Sequence, residues 1–225
     1  PRSETFVEDA RNYWTEKLAG MDSPTALGAR GEASPSSRRA RSRRSIGPEL
    51  TRALEAFGRE QRVTLGTLIE AAWAVVLGRA SSSRDVVFGL TTSGRPAEVP
   101  GSDRMVGLFI NSLPLRVAVE PWTSIGDWVR RIQDEAAALR EWEGLSLADV
   151  QQWSGIPPGT DLFESLVAIE NYPVDESIQA GGGAFGGVDV DYEDETHYAL
   201  TLVVSPGANL RLQLGYDAER FSESR

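Results

Sequence analysis

The chain has 225 residues, of which 40% are hydrophobic, and a net charge of −10 at pH 7. This length and composition allow a substantial buried core, so we expect a globular protein rather than a disordered one. The negative charge argues against a nucleic-acid partner, and the absence of cysteine excludes disulfides and thiolate metal sites. No apolar stretch approaches the roughly 20 residues that cross a bilayer. We therefore expect no membrane partner and a cytoplasmic location.

The first segments are predicted to form a helix, a loop and a basic strand. Residues 6–18 place apolar side chains at helical spacing. Residues 21–46 follow as a flexible loop and then a basic strand, with five arginines between positions 38 and 44. Such a run is typical of a solvated edge strand or surface loop, although it also fits an anion-binding arm.

Two further helices are predicted from their start signals. Pro48 suits the first turn of a helix whose inner edge is traced by Leu50, Leu54 and Phe57. Thr64 can cap the next helix. There the apolar residues follow helical spacing without a break, which predicts a broad buried stripe. They are Leu65, Leu68, Ile69, Ala72, Trp73, Val76 and Leu77.

The middle of the chain is predicted to contain two strands. Residues 86–90 are short, apolar and rich in β-branched and aromatic side chains, as in a strand buried on both faces. A loop follows. Residues 105–119 are apolar but interrupted, so we expect a turn or short helix and then a strand from about Leu113.

After the second of these strands, two helices and four more strands are predicted. Thr123 or Ser124 begins a long amphipathic helix, and Ser146 to Asp149 forms a capping box for a shorter one. The strands are residues 163–170, 188–193, 198–204 and 210–216, with a hairpin turn at 205–209. The expected fold is therefore α/β (α+β), with a mixed, mostly antiparallel sheet covered by helices.

None of the candidate chemical motifs favours a catalytic or metal site. His197 is the only histidine, so it has no second imidazole with which to share a metal. The glycines of residues 181–186 match a dinucleotide fingerprint only formally, because an acidic alternating strand follows instead of a helix. That alternation also explains the acidic residues 189–195 without calcium.

Several segments, in this order and spacing, resemble the condensation domains of nonribosomal peptide synthetases, which share the chloramphenicol acetyltransferase fold. They are residues 13–20, 71–77, 85–89, 93–96, 105–116 and 162–173. The resemblance covers nearly the whole chain, and residues 106–116 are its most specific part. It implies one domain unit, residues 1–225, that is the C-terminal lobe of a two-lobed domain.

The departures from the family pattern limit what this lobe can do. The family's active-site motif, two histidines followed three residues later by Asp-Gly, is absent, and so is a later Gln-Asp-Tyr-Pro-like signature. The resemblance therefore implies no catalytic residue in this chain, and the isolated chain is expected to be inactive.

What the resemblance implies is a reaction tunnel between two lobes, entered by acyl thioesters carried on phosphopantetheine. This lobe would supply one wall of the tunnel while an amide bond forms between two carrier-bound substrates, and it would bind no cofactor or metal directly. The implied tunnel and inter-lobe residues are Ser93, Gly94, Arg95, Gly107, Asn111, Arg116, Glu170 and Asn171. For Arg116 a charge pair at the strand end explains the residue equally well, and Asn111 is equally a helix or turn cap.

The implied partners are the N-terminal lobe, peptidyl carrier proteins and a neighbouring adenylation domain. Two other functions remain open from the sequence. One is a non-catalytic lobe that docks carrier proteins, and the other is part of an ester-forming acyltransferase of the same superfamily.

Overall fold

The structure is a computed structural model that describes residues 3–28, 38–92, 101, 104–107, 109–157, 159–170 and 196–221. The helices are Glu4–Lys17 (α1), Pro48–Gln61 (α2), Leu65–Ser81 (α3), Ile125–Ala138 (α4) and Leu147–Trp153 (α5), with a 3₁₀ helix at Leu139–Trp142. The strands are Arg39–Ile46 (β1), Asp85–Thr92 (β2), Asn111–Ala118 (β3), Ser165–Ile169 (β4), Leu200–Ser205 (β5) and Leu210–Asp217 (β6).

The helices begin where the sequence places capping residues. The side chains of Thr64, Ser124 and Ser146 each accept a hydrogen bond from the backbone N–H three residues later. This bond satisfies one of the amide groups left unpaired at a helix N-terminus. Pro48 occupies the first turn of α2, where its missing N–H costs nothing. These predicted starts are confirmed.

The six strands form one sheet in the order β1-β6-β5-β4-β2-β3. The pairs β2–β4 and β4–β5 are parallel, and the other three pairs are antiparallel. The predicted mixed, mostly antiparallel sheet is therefore confirmed. Because β2, β4 and β5 run in the same direction, their C-terminal ends lie at the same end of the sheet. The basic segment forms the edge strand β1, in agreement with the first of its two interpretations.

The main core lies between one face of this sheet and the helices. Phe88 and Leu90 of β2 are buried there together with their neighbours Leu115 and Leu113 of β3. Helix α3 packs on the same face, since Trp73 Nε1 donates a hydrogen bond to Ser165 Oγ at 3.3 Å. The α4 indole of Trp128 likewise reaches the end of β3, donating to the Ala118 carbonyl at 2.7 Å.

Some predictions of burial and of strand bounds were wrong. Leu50 and Val76 are 55% and 51% exposed, and Ala72 is also exposed. Ala72 and Val76 lie four residues apart on the outer stripe of α3, away from the sheet. Strand β3 begins at Asn111, two residues earlier than expected. The predicted strand 188–193 lies outside the described residues.

No single helix of the described segments is long and apolar enough to cross a membrane. Helices α2 and α3 meet the length and composition test only as a pair that is bent by 103°.

Candidate substrate-facing site

Five of the eight candidate residues directly follow one of the parallel strands in the sequence. Ser93, Gly94 and Arg95 directly follow β2, and Asn171 follows Glu170 at the end of β4. In open α/β sheets, ligands bind outside the carboxyl ends of the parallel strands. Of the candidates, Gly107, Asn111, Arg116 and Glu170 are described. Ser93, Gly94, Arg95 and Asn171 lie outside the described residues.

Asn111 anchors a loop to the first residue of β3. Its Nδ2 donates hydrogen bonds to the carbonyls of Glu143 and Leu145 at 2.8 and 2.6 Å, and its Oδ1 accepts one from the Ser112 amide at 2.9 Å. Both amide donors are therefore used within the protein. Asn111 pairs with Thr92 in the β2–β3 register, so it lies at the end of the sheet where β2 terminates.

Arg116 lies toward the other end of β3, roughly 17 Å from Asn111 at the usual rise of an antiparallel strand. Its guanidinium binds the Asp85 carboxylate, with an Nη2–Oδ2 distance of 2.6 Å, and Nη1 donates to the carbonyls of Lys17 and Ala19 at 3.1 and 2.7 Å. The hydrogen bond to Asp85 raises the pKa of Arg116. These contacts match the charge-pair alternative, and the inter-lobe role of Arg116 stays a prediction.

Glu170 and Gly107 occupy separate positions. The Glu170 amide donates to the Val204 carbonyl at 2.8 Å, and its Oε2 accepts a hydrogen bond from Ser205 Oγ at 3.0 Å. Glu170 thus ties the end of β4 to the end of β5. Gly107 is exposed, and a Cβ there would lie 3.3 Å from the Phe109 ring. The described candidates therefore do not form one cluster, and their roles in a tunnel stay predictions.

The structure also reveals a buried acid that sequence reasoning did not single out. Glu70 of α3 is only 5% exposed, and burial raises its pKa from 4.5 to about 7. The positive charge of Arg140 opposes this rise. The available signal was a single acidic residue inside the apolar run of α3. At helical spacing, Glu70 falls on the same stripe as Trp73 and Leu77.

His197 is exposed and lies against Tyr198, with 4.1 Å between ring centroids. Within the described segments, no group of three or more His, Cys, Asp or Glu side chains is arranged to hold a metal ion. The absence of a catalytic residue from this chain stays a prediction.

Comparison with known proteins identifies the family. Residues 2–225 match the family model of the condensation domain, so the chain belongs to that family. It is 40% identical over 222 residues to one of the linear gramicidin synthase proteins of Brevibacillus parabrevis, covering 97% of this chain and 3% of that protein. It is 38% identical over 215 residues to the chondramide synthase cmdD of Chondromyces crocatus, covering 95% and 6%.

Solved structures share the fold. The X-domain from teicoplanin biosynthesis matches with a TM-score of 0.80 at 18% identity, covering 99% of this chain and 52% of that one. The first condensation domain of the calcium-dependent antibiotic synthetase, in complex with a substrate analogue, matches with a TM-score of 0.76 at 21% identity, covering 98% and 49%. This chain therefore spans about half the length of the solved chains and a few per cent of the curated relatives. The resemblance to condensation domains of peptide synthetases is confirmed.

Proposed function

We propose that this chain is one lobe of a nonribosomal peptide synthetase condensation domain that forms an amide bond between carrier-bound aminoacyl or peptidyl thioesters. The observation that carries the proposal is the coverage, because nearly the whole chain matches only half of each solved condensation domain. The identity to proteins of the linear gramicidin synthase supports the same chemistry.

In this proposal the lobe supplies one wall of the reaction tunnel and does not supply the catalytic base. Its one histidine, His197, is exposed and is not part of the paired-histidine motif. Amide formation needs an amine held against a thioester carbonyl, and holding two reactants together accounts for much of the acceleration of such a step. Donors in the complete site would stabilise the charge that develops on the carbonyl oxygen.

The segment before β3 is suited to face a second lobe or a substrate. Met105, Val106 and Ile110 expose 44%, 104% and 56% of their surface, although all three are apolar. Exposed apolar patches mark interaction surfaces. Asn111 holds the end of this segment in place through its two carbonyl contacts.

The partners follow from this proposal. The N-terminal lobe completes the tunnel, peptidyl carrier proteins deliver the substrates on phosphopantetheine, and an adenylation domain loads a carrier. No cofactor binds to the lobe itself, and the assembly works in the cytoplasm.

A reconstitution experiment tests the proposal. The chain alone and the chain joined to its N-terminal lobe are each mixed with two loaded carrier proteins, and the peptide product is measured by mass spectrometry. We expect product from the two-lobe protein and none above background from the chain alone. Equal rates from both would refute the one-lobe assignment, and the absence of product from the two-lobe protein would refute amide formation.

A docking lobe without chemistry is the second candidate. The observation that favours it is the fold likeness to the X-domain, which has been solved in a complex with OxyB. Binding of phosphopantetheinylated carrier protein by a two-lobe protein that forms no peptide would support it. An ester product from a hydroxyl acceptor would instead indicate the ester-forming acyltransferase.

A further inference from the structure

Two buried polar atoms near the end of the α3–β2 interface have no hydrogen-bond partner among the residues that the structure describes. They are Glu70 Oε2 and Thr92 Oγ1. The two side chains belong to residues that are 5% and 9% exposed. A buried polar atom without a partner is unfavourable, because it has given up its hydrogen bonds to water. Each of the two atoms therefore calls for a partner, such as a water molecule, an ion or a ligand group.

The Glu70 carboxyl group lies close to the end of β4. Gly66, Glu70 and Trp73 form one stripe of α3 at helical spacing, and the hydrogen bond from Trp73 to Ser165 turns this stripe toward the sheet. A Cβ built on Gly66 would lie 3.0 Å from Ile169 Cδ1 and 3.9 Å from Glu70 Oε1. The Glu70 carboxyl group and Ile169, the last residue of β4, therefore both border the space that a side chain at Gly66 would occupy.

Thr92 lies at the same level of the interface. At the opposite end, a Cβ on Gly78 would lie 3.9 Å from Val86 Cγ1. From Gly78 back to Gly66, α3 extends about 18 Å, and from Val86 to Thr92, β2 extends about 20 Å. The short turn at 82–84 makes the two elements antiparallel. Since helical side chains tilt toward the N-terminus, the Glu70 carboxyl group reaches the level of Gly66 and hence of Thr92.

We propose that Glu70 and Thr92 form a binding site for a primary ammonium group and hold the acceptor substrate by its protonated amine, which attacks only after it gives this proton to the Glu70 carboxylate. The assignment to an acceptor rests on the proposed function. A carboxylate and a hydroxyl oxygen both accept hydrogen bonds, and an ammonium group offers three donors and the opposite charge. In the sequence, Thr92 directly precedes Ser93, and Ile169 directly precedes Glu170. The family resemblance implies that Ser93 and Glu170 are tunnel residues.

The charge state of Glu70 suits this role. With a pKa of about 7, an appreciable fraction of the carboxyl groups is ionised at neutral pH before any ligand binds. Arg140 is the charged side chain that acts on this pKa, and it favours ionisation. A bound ammonium group would favour the ionised form further.

The test compares two probes on the 225-residue chain by NMR titration. One probe is alanyl-pantetheine amide, which has a free amine, and the other is its N-acetylated form, which has none. We expect the free amine to bind at least tenfold more tightly. Glu70→Gln should reduce this preference to below threefold, and Thr92→Val should weaken binding of the free amine about three- to tenfold. Glu55→Gln, on the exposed face of α2, is the matched control and should change nothing.

Several outcomes would overturn the inference. They are equal binding of the two probes by the wild-type chain, an unchanged preference in Glu70→Gln, and a clear loss of thermal stability in Glu70→Gln, which would reveal an internal partner for the carboxylate. Equal binding by the wild-type chain needs no variant to fold. If the two-lobe protein forms peptide without this preference, only the ammonium site is wrong. If the preference exists but no peptide forms, only the proposed function is wrong.

Discussion

The Phe163 ring fills the space that a side chain at Gly89 would need. A Cβ on Gly89 would lie 2.3 Å from Phe163 Cε2, and both residues are buried. Glycine is therefore required in the middle of β2 by a close approach and not by an unusual backbone angle.

Gly89→Ala should destabilise the fold by about 1–3 kcal/mol, because the buried ring must move within a packed environment. Urea denaturation measures the change in the free energy of unfolding. Gly207→Ala is the control, since a Cβ there makes only an ordinary contact at 3.6 Å. If both variants had the same midpoint of urea unfolding, the close packing of Phe163 on Gly89 would be contradicted.

Glu70 should make stability fall with rising pH. Its pKa is about 7 in the folded state and 4.5 without burial, so the folded state binds the proton more tightly. The stability from this group is present below pH 4.5 and is lost as pH rises through 7. The free energy of unfolding of Glu70→Gln should therefore equal that of the wild type near pH 4 and exceed it by up to about 3 kcal/mol at pH 8.

The measurement is urea denaturation of both proteins between pH 4 and 8, with Glu55→Gln as a control that follows the wild-type curve. A difference between Glu70→Gln and wild type that stays constant with pH would show that Glu70 does not titrate in this range.

Arg116 should stabilise the junction of α1 with the sheet. Arg116→Ala removes the bonds to Asp85 and to two carbonyls at the end of α1, and we expect a loss of about 1–2 kcal/mol in the free energy of unfolding. Arg116→Lys should recover only part of this lost free energy, because an ammonium group cannot bind the Asp85 carboxylate and both carbonyls as the planar guanidinium group does. Chemical denaturation at low and high salt measures both.

Arg130→Ala is the control for Arg116, since the contacts of Arg130 with Asp127 and with Gln61 are both exposed. It should leave the midpoint unchanged. A loss in Arg130→Ala as large as that in Arg116→Ala would mean that the contacts with α1 add nothing.

The exposed apolar segment before β3 should drive self-association of the lobe when it is isolated. Replacing Val106 and Ile110 by serine should lower the average molar mass seen by light scattering at high protein concentration. Trp122→Ser is the control, because Trp122 is 89% exposed but lies beyond the other end of β3. A strict monomer for the unmodified chain would contradict the prediction.

Local signals were sufficient for much of the fold. The caps at Thr64, Ser124 and Ser146 and the proline at position 48 predicted helix starts to within a residue, because these signals act through neighbouring backbone groups. Burial was predicted less well. Val76 is apolar and at the right spacing, yet exposed, because helical periodicity does not show how many sides of a helix are covered.

The site depended on contacts between distant parts of the chain. The family resemblance indicated Arg116 and Asn111, but the partners Asp85 and Glu143 lie about 30 residues away in sequence. Glu70 escaped notice because a single acid in an apolar run shows no motif. Its significance came from its burial and its missing hydrogen-bond partner.

The edge strand β1 pairs with β6, so Arg39 lies opposite Asp217 across almost the full length of the chain. Any division of the chain between these two residues separates β1 from its partner β6. A fragment that ends before β6 therefore leaves β1 unpaired. Because Arg116 also binds the carbonyls of Lys17 and Ala19, exchange of segments between synthetases should succeed when α1 and residues 39–217 move together as a single block.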